Sequence, residues 1–121
     1  MFYCFCVSPA IDVAVKQVNE DGLLPDGYRM TYEMGETYGS ETESISKTVE
    51  LIWQKNVSAI IGPQTETCKH EARIAASFNI PMISHYCSQV DTSNKLLYPT
   101  FARTIPSHRL VTNSVVTVVK T

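Results

Sequence analysis

Two tripeptides carry residue types that could do chemistry, Cys68-Lys69-His70 and His85-Tyr86-Cys87. They mirror each other, and together they offer two thiols and two imidazoles. Zinc takes such a set tetrahedrally, but at a helix start residues two apart point about 200° apart, so Cys68 and His70 diverge. A second chemistry pairs a thiolate at a helix amino terminus with a histidine, which lowers the thiol pKa and arms the sulfur as a nucleophile. No Asp or Asn is placed to orient His70 or His85, and no oxyanion hole can be argued. A third is a crosslink: one cysteine in the first turn of a helix, the other just past the next strand of a parallel sheet, where neighbouring strand ends come close. Such a bond closes a loop of about 20 residues and is worth roughly 3 kcal/mol in the chain-entropy model. The residues alone leave the three readings open.

The elements that must position these groups follow from periodicity. Ser8-Pro9 is an N-cap hydroxyl with proline at the first helical position. Ile11, Ala14, Val15 and Val18 then share one helical face, and Gly22 ends it. Tyr28, Met30, Tyr32 and Met34 alternate with polar residues, which predicts a half-buried strand. Ser40 with Glu43 reads as a capping box, opening a helix to about Lys55 with Ile45, Val49, Ile52 and Trp53 on its apolar face.

Val57 to Ile61 reads as a short buried strand closed by Gly62-Pro63. A helix over about 66–78 follows, packing through Ala72, Ala75 and Ala76. Ile80 to Ser84, with Pro81 near its start, is the next strand. Tyr98 to Thr104 is a last short one. Pro106 and Ser107 then open a helix whose face is Leu110, Val111, Val115 and Val118. Alternation at this spacing predicts an α/β fold, a doubly wound parallel sheet with helices on both faces. Ligands of such sheets lie beyond the carboxyl ends of the strands. That picks out the turns Gly62 to Thr67, Ser84 to Cys87 and Arg103 to Ser107.

Composition narrows the partners. The chain has 121 residues, enough for one domain, with 44% hydrophobic, 18% charged and a net charge of -2. Its scattered lysines and arginines give neither a nucleic-acid stripe nor a polybasic membrane patch. No stretch approaches the roughly 20 apolar residues that span a bilayer, and the opening Met1 to Val7 lacks the basic flank of a signal peptide. Cys4 and Cys6 read as small apolar residues of a strand. Asn56-Val57-Ser58 is a glycosylation sequon abutting a buried strand.

The blocks "AIDVAVKQVNEDGLLPDGYRMTYEM", "IIGP", "FNIPMISHYC" and "YPTFARTIPS" stand in one register over residues 8 to 120. In them the sequence resembles the receptor ligand-binding family built on the type 1 periplasmic-binding-protein fold, above all the extracellular region of natriuretic-peptide-type receptor guanylate cyclases. The resemblance implies a two-lobed clamshell, of which residues 8–121 supply part of the amino-terminal lobe. Residues 1–7 are then either an atypical leader or a residual first strand, since family members place a longer loop before the first helix.

It also implies a disulfide between Cys68 and Cys87, ligand contacts from Thr65, Thr67, Ser84, His85 and Tyr86, and no catalytic residue, metal or cofactor. The parent is expected at the plasma membrane with this region outside, as a homodimer, binding an extracellular peptide or a small molecule but no nucleic acid. The family's turn after Gly-Pro is linked to a bound chloride. Here the cysteine stands farther from Pro63 and Glu66 adds negative charge, a departure from that pattern. Two other classes remain as expectations: a stand-alone intracellular flavodoxin-like protein, disfavoured because no Gly-rich turn follows Val7, and an inactive decoy fragment.

Overall fold

A computed structural model describes residues 8–63 and 68–120. Helix α1 spans Ser8–Glu20 and α2 spans Glu41–Trp53; strand β1 is Ile60–Ile61, α3 is Lys69–Ser77, β2 is Met82–Ser84, a 3-10 turn covers Asp91–Ser93, β3 is Phe101–Arg103 and α4 is His108–Val119. The strands form one parallel sheet in the order β1-β2-β3. The α/β class and the parallel sheet are therefore as the periodicity implies. The strands are shorter than expected, because each pairs only where its neighbour runs alongside.

Register explains the core. Ile60, Met82 and Phe101 lie side by side on one face, and all three are buried. Each contributes roughly 1.5–3 kcal/mol by leaving water. Ala72 and Ala75 of α3, both fully buried, let that helix approach closely, and Leu51, Ile52 and Val57 close the core behind it. Ile61, Ile83 and Ala102 form the opposite row. Ile83 is 45% exposed and Ala102 is exposed, so helices cover one face of the sheet fully and the other only at its Ile61 end, where Ile11, Val15 and Met30 gather.

Three expectations need correction. Tyr28 to Met34 forms no strand among the described residues, where Tyr32 alone of the segment has a bridge-type pairing. The Asn19 side chain meets the backbone of this segment, accepting from the Met30 N–H at 2.8 Å and donating to its C=O at 2.9 Å.

The buried face of α2 is Ser44, Thr48, Leu51 and Ile52, turned about one residue from the expected stripe, with Trp53 out in solvent. Small residues meet the alanines of α3 more closely, and Thr48 donates to the Ser44 carbonyl at 2.8 Å. The capping box is half made. Ser40 Oγ accepts from the Glu43 N–H at 3.4 Å, while the Ser40 N–H goes to the Thr37 carbonyl at 2.8 Å.

Third, α4 buries nothing: Leu110, Val111, Val115 and Val118 are all exposed. Ser107 does stand at its N-cap, but without a side-chain cap; its carbonyl accepts from Leu110 and Val111 instead.

Candidate functional site

Cys68 and Cys87 are joined in a disulfide, with Cα atoms 5.8 Å apart. Both sulfurs are fully buried and consumed by the bond, so neither can serve as thiolate ligand or nucleophile. Cys68 is the N-cap residue of α3, and Cys87 lies three residues past the end of β2. The bond thus ties a helix start to the loop leaving the neighbouring strand, at the carboxyl edge of the sheet.

The edge is shaped from both sides. Gly62 ends β1 with φ of 130°, a conformation side chains resist, and its N–H still reaches the Ile83 carbonyl at 2.9 Å. Thr65 and Thr67 lie outside the described residues. Ser84 is fully buried, and its hydroxyl is spent on the protein: it donates to the Pro63 carbonyl at 3.3 Å and accepts from the Tyr86 and Cys87 N–H groups at 3.3 and 3.0 Å. It therefore shapes the mouth from within rather than facing it. Tyr86 is 46% exposed at the rim. His85 is half-buried, with its Nδ1 lacking a hydrogen-bond partner.

This loop is held by Arg103, expected as a paired structural residue at the start of the third turn. Arg103, at the end of β3, donates to the Gln89 carbonyl at 2.7 Å, to Thr92 Oγ1 at 3.2 Å, to the Cys87 carbonyl at 3.4 Å and to Ser93 Oγ. One guanidinium thereby organises the whole 87–93 path. The start of α4 is pinned to the same loop, because the His108 N–H reaches the Ser88 carbonyl at 2.9 Å and His108 Nε2 meets Ser88 Oγ at 2.6 Å.

Glu71 is the unexpected polar residue. It is fully buried in α3, and neither carboxylate oxygen has a hydrogen-bond partner of ordinary geometry. Burial pushes its carboxyl pKa up, against the opposing pull of the nearby Ser44 hydroxyl. Its spacing from Cys68, Ala72 and Ala75 is the one available signal: it occupies the buried face of its own helix. Neighbouring His70 instead turns outward, its Nε2 3.1 Å from Glu41 on α2.

Beside this edge a polar cleft of about 570 Å³ runs between α3 and the 3-10 turn, with Lys69 and Arg73 on one wall and Asp91 and Asn94 on the other. Arg73 lies over the Tyr98 ring, 5.4 Å from its centre. A concavity of about 640 Å³ opens between α1 and residues 28–32, lined by Asp12, Asn19 and Tyr32 among others.

A parallel α/β layer whose strand ends, crosslinked loop and helix starts converge on one edge defines part of a lobe of the periplasmic-binding-protein type. The chain belongs to the receptor family ligand binding region family, which matches residues 7–121. It is similar to the speract receptor of Strongylocentrotus purpuratus, 31% identical over 107 residues, which are 88% of this chain and 9% of that receptor. It is similar also to the resact receptor of Arbacia punctulata, 32% identical over 106 residues, 88% of this chain and 10% of that protein. The receptor-type guanylate cyclase Gyc76C of Drosophila melanogaster is 33% identical over 115 residues, 94% of this chain and 7% of that enzyme. The chain thus spans about a tenth or less of the length of these relatives. No described helix is long and apolar enough to cross a membrane.

Proposed function

We propose that residues 8–121 are part of the amino-terminal lobe of the extracellular ligand-binding region of a plasma-membrane receptor of the guanylate-cyclase type, and that this part is itself non-catalytic. The observation that carries the reading is the Cys68–Cys87 bond, which ties the start of α3 to the loop after β2 at the carboxyl edge where such lobes take ligand. A buried disulfide also suits an oxidising, extracellular setting.

In this reading Thr65, Thr67, His85 and Tyr86 contact an extracellular peptide or small molecule, Ser84 holds their loop, and the parent signals as a homodimer. Of the described residues among them Tyr86 offers the most exposed surface, at the rim of the edge.

The test is a receptor carrying this region on the cell surface, challenged with speract and with resact, the ligands for which two relatives are named. His85→Ala with Tyr86→Ala is expected to raise the half-maximal ligand concentration for cyclic GMP production at least tenfold, at unchanged surface level. An unchanged dose response in the double variant refutes the site. Ligand binding without any change in cyclic GMP refutes the cyclase assignment.

A further inference from the structure

Three observations meet at the far end of α2. The first is the sequon Asn56-Val57-Ser58. In the structure Asn56 and Ser58 are both exposed, while Val57 between them is buried, so the triplet turns its two chemically relevant side chains to water and anchors itself by its middle one. Asn56 sits in a left-handed turn with φ of 50°, where the chain leaves α2 for β1. Its side-chain amide makes no hydrogen bond among the described residues.

The second is a pair of stranded aromatics. Trp53, the last residue of α2, is 71% exposed and Phe78, just past α3, is 45% exposed. Their rings meet edge to face, 6.0 Å between centres at 80°. An exposed tryptophan meeting an exposed phenylalanine is an unusual use of two large apolar side chains, and such patches mark something that covers them.

The third joins the other two. Trp53, Phe78, Val57, Ile80 and Ile52 form the walls of a shallow cleft of about 400 Å³, and Asn56 is the one polar side chain on its rim. A group attached to the Asn56 amide nitrogen therefore starts from the rim of a cleft that the two rings help to wall. The apolar face of a pyranose, a row of axial C–H groups, is complementary to the electron-rich face of an indole.

We propose that Asn56 carries an N-linked glycan whose first N-acetylglucosamine lies over Trp53 and Phe78. The proposal rests on the extracellular reading above, since it requires passage through the secretory pathway. The donor is a lipid pyrophosphate-linked oligosaccharide. The Asn56 amide nitrogen attacks C1 of the first sugar and loses one proton, a C1–N bond forms, the C1–O bond to the pyrophosphate breaks, and the lipid pyrophosphate leaves with the bonding electron pair. The Ser58 hydroxyl is the required sequon partner. Transfer takes place on the unfolded chain, so the folded structure needs only to leave room for the product, which an exposed residue on a loop does.

The whole 121-residue chain, fused behind a cleavable secretion signal, is to be made in animal cells and analysed by peptide mass spectrometry. The expected result is a sugar on the Asn56 peptide that a peptide-N-glycosidase removes, converting the asparagine side chain to a carboxylate as it does so. Asn56→Gln and Ser58→Ala are expected to abolish the sugar, and Ser58→Thr to keep it. Secreted chain with the Cys68–Cys87 bond formed but Asn56 unmodified overturns the proposal, while leaving the receptor reading, which cyclic GMP tests separately. Trp53 is the single tryptophan, so its fluorescence reports the cover directly. Enzymatic removal of the sugar is expected to raise the acrylamide quenching constant about twofold. Equal quenching with and without the sugar overturns its placement over the rings.

Discussion

Breaking the Cys68–Cys87 bond is the most informative perturbation, because its cost can be worked from sequence separation alone. The two cysteines are 19 positions apart. For a loop of that length the chain-entropy relation gives about 11 cal/mol/K of lost denatured-state entropy, or about 3 kcal/mol at room temperature. Typical whole-domain stabilities are about 5–15 kcal/mol, so this is a large share. With a urea slope of about 1–3 kcal/mol/M, the unfolding midpoint is expected to fall by roughly 1–3 M.

The assay is urea unfolding followed by circular dichroism on three samples: the oxidised chain, the same chain reduced, and Cys68→Ala with Cys87→Ala. The reduced chain isolates the crosslink, since its atoms are otherwise unchanged. The double variant loses in addition the packing of two buried sulfurs and is expected to lie at or below it. A midpoint that does not move on reduction refutes the argument that the bond restrains the unfolded chain. A fall of the size expected in the double variant but not in the reduced chain would locate the effect in core packing.

Two further outcomes test the residues beside it. Burial holds the Glu71 carboxyl pKa above its ordinary value, so the folded chain keeps this proton more tightly than the unfolded chain does. Stability from this group is therefore full below the ordinary glutamate range and is lost as pH rises through the raised folded value. Glu71→Gln is expected to remove that fall and to stabilise the chain at pH 7 by on the order of 1 kcal/mol, and a stability–pH curve identical to that of the native chain refutes it. Arg103→Leu strips the loop of its organising donors and leaves the Gln89 carbonyl unmet. It is expected to cost roughly 1.5–3 kcal/mol and to speed amide exchange across residues 87–93, whereas unchanged exchange there would show that the disulfide alone holds the path.

What could be read ahead of the structure divides along a physical line. Features set by local chemistry were legible: the helix start at Ser40, the stop at Gly62-Pro63, the small-residue face of α3, the parallel sense of the sheet. The likeness to receptor sequences also singled out the cysteine pair. Features set by which neighbour is present were not. The alternation of Tyr28 to Met34 is strand-like, yet among the described residues the backbone of Met30 is met by the Asn19 side chain. The face of α2 turned by one residue because its partner helix is lined with alanine, which the α2 sequence cannot disclose.

Arg103 was legible as a paired structural residue, but its partners were not. Its importance lies in carbonyl groups of a loop whose course only the fold defines. Ser84 was singled out by its place at a strand end, and that place is right, but burial turned a residue expected to face ligand into one that holds the loop.

Ile83 and Ala102 of the sheet, with the valine-rich surface of α4, put apolar atoms in contact with water. Attraction between such surfaces is driven by the entropy of released water and weakens on cooling. Any contact made through these surfaces is therefore expected to loosen on chilling and to tighten on warming.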